Sequence, residues 1–236
     1  MNEQYKVQVQ NLVDDLKAVF THAGLGGEAG EYKLLTQSFL YKFLNDKFLY
    51  EAQDVDSENT YDRLVSMSEE DYDWLLEDIG TSTAWMKPNQ FIETLHRKQN
   101  ESDFYETFEN TLNQIAIDNN DIFSVHTDGD TAIRLFDERL ITDTISDSSK
   151  RNEVAKAIIN LLARVKFDET IFSQGFDFFS TLFEYMIKDY NKDGGGKYAE
   201  YYTPHSVAKI IADILVGNDQ PSNVRIYDPS AGSGTL

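Results

Sequence analysis

The 236-residue chain carries 41 acidic against 21 basic residues, a formal net charge of −20 at pH 7, and 41% hydrophobic residues. This hydrophobic fraction, with only four prolines, favours a folded chain over a disordered one. The chain has no cysteine, which excludes disulfides and thiolate metal sites. The excess of acids argues against autonomous nucleic-acid binding, because phosphate contacts need clustered Lys and Arg. Any contact with DNA therefore requires a partner or a further segment to supply positive charge.

The amino-terminal sequence lacks the basic start and apolar run of a signal peptide, and no stretch reaches the length of a membrane span. We therefore expect a cytoplasmic protein with no membrane partner. The length leaves room for one large or two modest domains.

Residues 1–166 are predicted to form a helical domain. Apolar residues recur at helical spacing from Val9 to Phe20, and glycines then end the pattern. From about Glu31 the apolar residues between Leu34 and Phe48 are too numerous for a surface stripe, which predicts a helix at the centre of a bundle. The further rows that predict helices are Trp74, Leu75 and Ile79; Phe91, Ile92 and Leu95; Phe104, Phe108, Leu112 and Ile115; and Val154, Ile158, Leu161, Leu162 and Val165.

Two residues are predicted to start helices in this domain. Ser68 precedes three acids and is predicted to be an N-cap, with Trp74, Leu75 and Ile79 forming the buried side of its helix. Pro88 is predicted to open the next helix.

The stretch from residue 122 to residue 149 is polar. Within it HTDGDTAIRLFDERL, residues 126–140, is predicted to hold either a short strand or a loose helix. His126, Asp128 and Asp130 lie close together there, but the ligand ladder and terminal Glu of a calcium loop are missing. The pattern favours a solvated turn over a metal site.

The second domain is predicted to span residues 167–236. An apolar helix is expected from Phe178 to Tyr190, followed by a glycine-rich break whose GGGK does not follow a strand and is therefore not a phosphate loop. A further helix is expected after Pro204, and a buried parallel strand from Val224 to Tyr227. The predicted fold is thus mostly α: a helical bundle followed by the beginning of an α/β, Rossmann-like domain.

Two motifs in this second domain suggest chemistry. EYYTP occupies residues 200–204, and DPSAGSG occupies residues 228–234 directly after the predicted strand. Ligands in open α/β sheets bind at the carboxyl ends of strands, where glycines let backbone amides approach closely. A lone GxG is common in ordinary turns, so the loop becomes informative only in combination with the aromatic motif.

With both motifs, the chain resembles the modification subunits of type I restriction-modification systems, which are adenine-specific DNA N6-methyltransferases. The stretch GEYKLLTQSFLYKFLNDKFLYE, Gly30 to Glu51, is similar to part of that family's helical amino-terminal domain. The resemblance implies S-adenosylmethionine as the cofactor. It implies DNA, a specificity subunit, a restriction subunit and a second modification subunit as partners. The cofactor-binding residues that it implies are Glu200, Tyr201, Tyr202, Thr203, Pro204, Asp228, Ser230, Ala231, Gly232, Ser233 and Gly234.

The sequence also departs from the family pattern. Tyr201 replaces a usual phenylalanine, and His205 replaces a frequent arginine. The Asn/Asp-Pro-Pro-aromatic motif that binds the target adenine in this family does not occur in the sequence, so no catalytic residue is assigned. We expect an amino-terminal fragment that binds the cofactor weakly and methylates nothing alone. In this fragment we expect residues 228–236 to be poorly tied down.

Two other functions remain open from the residues alone. The chain could be an acidic helical module that docks onto specificity or restriction subunits without catalysis. It could also belong to another Rossmann-like enzyme that uses a nucleotide cofactor such as NAD, because the glycine loop alone does not separate these classes.

Overall fold

The structure, a computed structural model, describes residues 3–81, 83–120, 125–126, 132–167, 171–172 and 205–217. The chain divides into two compact units, Met1–Phe176 and Asp177–Leu236. The described helices are α1 (Glu3–Ala23), α2 (Ala29–Val55), α3 (Tyr61–Ser66), α4 (Glu69–Ile79), α5 (Ile92–Lys98), α6 (Phe104–Asp118), α7 (Leu140–Thr144), α8 (Ser148–Arg164) and α9 (His205–Val216). The described strands are β1 (Val125–His126) and β2 (Ala132–Ile133).

The first unit is a bundle organised around two long helices. The helix α8 packs against α1, α5 and α6, while α2 packs against α1, α4 and α7. The centre of the bundle is aromatic, with Phe39, Phe48, Phe91 and Phe108 fully buried. Burial of this apolar area drives assembly of the helices, because tertiary packing supplies most of the stability of helices in proteins. The prediction of a mostly helical chain is confirmed.

The helix α2 lies at the centre of the bundle, as its sequence predicts. Its buried residues are spread around the helix axis and include polar and charged side chains as well as apolar ones. These buried residues are Glu31, Leu34, Leu35, Ser38, Phe39, Tyr41, Lys42, Leu44, Asn45, Asp46, Phe48 and Ala52.

The predicted N-cap of α4 is confirmed. The backbone N–H of Asp71 donates to the Ser68 hydroxyl oxygen at 3.2 Å, which satisfies one of the free donors at the start of the helix. Three acids in the first turn face the positive end of the helix dipole and stabilise it further.

The predicted buried side of α4 is wrong at Trp74. The buried residues are Tyr72, Leu75 and Ile79, while Trp74 is 62% exposed. Residues 72, 75 and 79 share one helical face, and residue 74 lies about 100° away from residue 75 on the helix. Helical periodicity therefore excludes Trp74 from the face that Leu75 occupies.

The predicted role of Pro88 needs correction, because it opens a 3₁₀ turn, Pro88–Gln90, and not the following helix. The Gln90 side chain accepts from the Lys87 backbone N–H at 2.7 Å, which closes this turn. Phe91 is then extended, and α5 begins one residue later at Ile92. The buried Phe91 thus belongs to the core without belonging to the helix.

The short strand expected within residues 126–140 is confirmed, whereas a helix begins only at the last residue of that stretch, Leu140. The strands β1 and β2 pair antiparallel, with Val125 opposite Ile133. The short helix α7 follows, with Leu140 and Ile141 buried. Among the described residues, no group of three or more His, Cys, Asp or Glu side chains is arranged to hold a metal ion.

In the second unit, the predicted helix after Pro204 is confirmed as α9. The predicted helix from Phe178 to Tyr190 and the strand from Val224 to Tyr227 lie outside the described residues. The Rossmann-like start of this unit, the domain boundary after residue 166 and the loose attachment of residues 228–236 stay predictions. None of the described helices has the length and apolar character needed to cross a membrane.

A close approach between α2 and α7 gives a first testable prediction. A Cβ atom built on Gly30 would lie 2.7 Å from the Thr144 Cγ2 methyl group, which is shorter than any normal contact. We expect Gly30→Ala to lower the free energy of unfolding by about 1–3 kcal/mol, as overpacking usually does. Urea unfolding followed by far-UV circular dichroism measures this change.

The matched control removes the methyl group that the added Cβ atom would strike. Combined with Thr144→Ser, which lacks Cγ2, the Gly30→Ala substitution should recover most of the loss. Equal losses in the single and double variants would contradict the contact.

Two buried tyrosines give a prediction about alkaline pH. Burial raises the pKa of Tyr72, and burial followed by the nearby Asp46 carboxylate raises the pKa of Tyr41 well above its usual value. The folded chain thus keeps phenolic protons that the unfolded chain loses near pH ~10. The stabilisation is complete below this pH and is lost as the pH rises above it, by up to ~1.4 kcal/mol per pH unit for each tyrosine.

The variant Tyr72→Phe isolates one of these two groups. Its loss of the 2.6 Å hydrogen bond from the Tyr72 hydroxyl to the Met86 carbonyl should cost about 1 kcal/mol at pH 7. Above pH ~10 its free energy of unfolding should fall less steeply than that of the unsubstituted chain. Because all other groups titrate in both proteins, parallel curves above that pH would refute the role of Tyr72.

Candidate functional site

The predicted cofactor-binding residues, 200–204 and 228–234, all lie outside the described residues. Their assignment therefore stays a prediction. The described helix between them, α9, leaves several large apolar side chains exposed, among them Ile210 at 58% and Ile214 at 74%. Val207 and Leu215 are exposed as well, whereas Ala208 is buried.

Within the first unit, the most unusual chemistry belongs to a buried ion pair in the middle of α2. The Lys42 Nζ atom lies 2.8 Å from the Asp46 Oδ2 atom, and the two side chains are only 4% and 5% exposed. Asn45 donates to the Asp46 Oδ1 atom at 2.8 Å and accepts from the Ile92 backbone N–H at 2.9 Å. The backbone N–H of Phe167 donates to the Asp46 Oδ2 atom at 2.7 Å. One carboxylate thus joins α2 to the chain that follows α8, and its neighbour Asn45 joins α2 to α5.

Burial and the neighbouring Asp46 have opposite effects on the pKa of Lys42. Removal from water lowers the pKa of Lys42, while the charge and hydrogen bond of Asp46 act in the opposite direction. The Lys42 Nζ atom also lies 5.4 Å from the centroid of the Phe167 ring, a favourable position for a cation. The ammonium is therefore held between a carboxylate and an aromatic face.

An aromatic cluster fixes the chain just beyond Phe167 onto the same helix. The Phe172 ring lies 5.6 Å from that of Phe43 and 5.4 Å from that of Tyr50. The Lys47 Nζ atom lies 5.4 Å from the Phe172 centroid and is paired with Glu51. Residues 167 and 172 are thus both anchored on α2 before the second unit begins.

A groove of about 730 Å³ opens beside the ion pair. The Arg97 guanidinium lies 4.8 Å from the centroid of the Tyr61 ring, donates to Glu93 at 3.0 Å and approaches Asp62 at 3.8 Å. The lining residues are Lys42, Asn45, Asp46, Leu49, Tyr50, Gln53, Asp54, Ser57, Tyr61, Asp62, Phe91, Ile92, Glu93, Arg97, Ala163, Val165, Lys166 and Phe167.

Two of the cations that line this groove are already paired with acids. Lys42 is neutralised by Asp46, and Arg97 is held by Glu93. A general base or nucleophile needs a free lone pair within reach of a substrate, and Asp46 already accepts from Lys42, Asn45 and Phe167. This cluster therefore has the character of a structural anchor.

The part of the chain that carries the two motifs is similar to known proteins. Residues 174–236 match the family described as N-6 DNA Methylase. The type I restriction enzyme MpnII methylase subunit of Mycoplasma pneumoniae is 24% identical over 207 residues, which cover 83% of this chain and 37% of that protein. The chain is thus similar to a type I methylase subunit over most of its own length.

A second relative extends the same similarity. The type I restriction enzyme MjaVIII methylase subunit of Methanocaldococcus jannaschii is 24% identical over 206 residues, 87% of this chain and 31% of that protein. The chain thus spans about a third of the length of the curated proteins that it matches. No solved structure matches the chain significantly. The predicted resemblance is confirmed by these matches, which also reach into the helical unit.

The buried ion pair is not predicted from the sequence. Lys42 and Asp46 are four residues apart, which is the spacing of ordinary surface pairs on helices. Their burial is indicated only by their neighbours in the sequence. Lys42 lies between Phe39 and Leu44, and Asp46 between Leu44 and Phe48, on a helix that is apolar around most of its surface.

The anchor predicts a large and asymmetric cost of neutralising Asp46. In Asp46→Asn the buried Lys42 ammonium loses its counter-charge, so we expect the free energy of unfolding to fall by about 3–5 kcal/mol. Lys42→Met should cost less, because Asp46 keeps the N–H donors of Asn45 and Phe167. Urea unfolding at pH 7 measures both changes.

The double variant Lys42→Met with Asp46→Asn completes a mutant cycle. Without a buried charge, it should be about as stable as Lys42→Met alone. A double variant whose loss equals the sum of the two single losses would show that the two charges do not interact.

Proposed function

We propose that the protein acts as the modification subunit of a type I restriction-modification system, transferring a methyl group from S-adenosylmethionine to the N6 atom of adenine in DNA. The proposal rests on one observation: the region that matches the N-6 DNA Methylase family, residues 174–236, contains both EYYTP and DPSAGSG. Similarity to two type I methylase subunits over more than four-fifths of the chain supports it.

The residues of the glycine loop suit a cofactor of this kind. Gly232 and Gly234 carry no Cβ, so their backbone amides can approach polar cofactor atoms closely. The Asp228 carboxylate can accept a hydrogen bond from the cofactor's ammonium group or from the loop itself. Tyr201 and Tyr202 offer ring faces along which the cofactor can lie.

Methyl transfer from a sulfonium needs alignment more than activation. The sulfonium carbon is already electrophilic, so the protein must place the adenine amine in line with it and draw positive charge from the nitrogen as the bond forms. We assign the binding of the methyl donor to the residues of this chain. Adenine binding is assigned to a part of the protein beyond them.

The charge of the chain bears on its partners. A net charge of −20 disfavours contact with DNA phosphates by the chain alone. We propose that a specificity subunit supplies sequence recognition and most of the positive surface. A second modification subunit and a restriction subunit complete the proposed assembly, in a cytoplasmic setting.

The direct test is a methylation assay on the full-length protein purified with its specificity subunit. We expect transfer of methyl groups to adenine N6 in duplex DNA, detected by mass spectrometry of the nucleosides. The Asp228→Ala variant should require about 10- to 100-fold more S-adenosylmethionine for the same rate, the usual effect of losing a hydrogen bond to a charged group.

The neighbouring Asp219→Ala variant is the control, since it removes the same charge from the polar turn before the predicted strand. It should methylate like the unsubstituted protein. Absence of adenine methylation in every duplex tested would refute the proposed function. Equal activity of the two variants would refute only the role of Asp228.

A further inference from the structure

A second groove lies in the first unit, where the end of α2 meets α3 and α4. It has a volume of about 530 Å³, the size of a site for a few side chains. We call it the α4 groove. Its lining includes Val55, Asp56, Asn59, Arg63, Asp71, Trp74 and Asp78.

Large apolar side chains stand exposed in the α4 groove. Trp74 is 62% exposed and Val55 is 44% exposed. Exposing a tryptophan to this extent is costly in water, because its ring is one of the largest apolar surfaces in proteins. Tryptophan is also the residue type most enriched among the energetically dominant residues of protein interfaces.

The groove is negatively charged. Its described lining contains three acids, Asp56, Asp71 and Asp78, and one base, Arg63. Arg63 is already paired, at 3.0 Å from Asp56 and 3.1 Å from Glu58. The Asp78 carboxylate makes no hydrogen bond or ion pair with any described residue. The groove therefore keeps a charge that an incoming cation can neutralise.

A buried acceptor in the same groove lacks a donor. Asn59 is only 3% exposed, and its amide nitrogen donates to the Ala52 carbonyl at 2.9 Å. Its Oδ1 atom has no hydrogen-bond partner among the described residues. A buried unpaired acceptor is destabilising, and Asn59 is one of the residues that line the groove.

We propose that the α4 groove docks a basic segment of a partner protein, with an Arg or Lys side chain lying on Trp74 and paired with Asp78. An Arg side chain fits best, because its guanidinium stacks on an aromatic face while donating several hydrogen bonds. The first unit already contains this arrangement, with Arg97 stacked on Tyr61 and bonded to Glu93.

Other occupants fit the groove less well. Nucleic acid brings phosphates, which the acids of the groove repel. A metal ion needs three or more converging ligands, and the described residues contain no such group of His, Cys, Asp or Glu. The docking function goes beyond methyl transfer and does not depend on it.

The test uses the fluorescence of Trp74 in a Trp85→Phe background, because the chain has two tryptophans. The probe is a twelve-residue peptide of alternating Arg and Ala, and a peptide with Glu in place of Arg is the negative control. We expect a saturable change in Trp74 emission with the Arg peptide that weakens as salt is added. Absence of binding, or equal binding of the Glu peptide, would overturn the proposal.

A matched pair of variants on α4 separates docking from general attraction to an acidic protein. Asp78→Asn, inside the groove, should weaken Arg-peptide binding about three- to fivefold. Asp73→Asn removes the same charge from the same helix but lies outside the groove lining, and should leave the affinity nearly unchanged. Equal losses in the two variants would overturn the proposal. Trp74→Ala, measured by calorimetry, should lose about tenfold or more.

The natural partner is tested in the assembled complex of the full-length protein. With the photo-crosslinking substitution Trp74→p-benzoylphenylalanine, we expect attachment to an Arg- or Lys-bearing segment of another protein subunit. Attachment to DNA, to a segment without basic residues, or to nothing would overturn the proposal. None of these three measurements reads adenine methylation, so a failed methylation assay and a failed docking test are distinguishable.

Discussion

The first unit depends on a buried charge pair that cannot be left incomplete. Taking Lys42 and Asp46 out of water costs several kcal/mol per ion, and this cost is offset only if the pair stays together with its hydrogen bonds. Those bonds come from Asn45 on the same helix and from the backbone of Phe167, more than a hundred residues along the chain. The centre of α2 can therefore be buried only when the chain after α8 is in place.

The same constraint holds the end of the described part of the first unit on α2. The Phe167 backbone binds Asp46, and the Phe172 ring packs against Phe43. Because an incomplete buried ion pair is strongly destabilising, Asp46 favours the one arrangement in which the Phe167 N–H reaches it.

The acidic residues on and near α4 have two different roles. On α4, three acids in the first turn stabilise the helix through its dipole, and Ser68 caps it. Asp78 and Asp56, together with the exposed Trp74, instead shape the α4 groove. The same helix therefore contributes Tyr72 and Leu75 to the core and an acidic aromatic surface to the outside.

How far the sequence predicts this arrangement differs from element to element. Periodicity predicts the helices and the Ser68 cap because these are local features within one or two turns. The prediction is wrong at Trp74, because its expected burial follows from its hydrophobicity and not from its angle on the helix. It also misses the Asp46 anchor, because contact with Phe167 is a tertiary event that local spacing does not contain. The two motifs are visible in the sequence itself, whereas their role in binding a cofactor is what the family resemblance implies, and it stays a prediction.

Residues 200–204 and 228–234 are proposed to form part of a site for S-adenosylmethionine. The decisive experiment is equilibrium dialysis of the full-length protein with radiolabelled S-adenosylmethionine, with S-adenosylhomocysteine and NAD as competitors. We expect saturable binding that S-adenosylhomocysteine displaces and NAD does not. Saturable binding of NAD, with none of S-adenosylmethionine, would refute the proposed site.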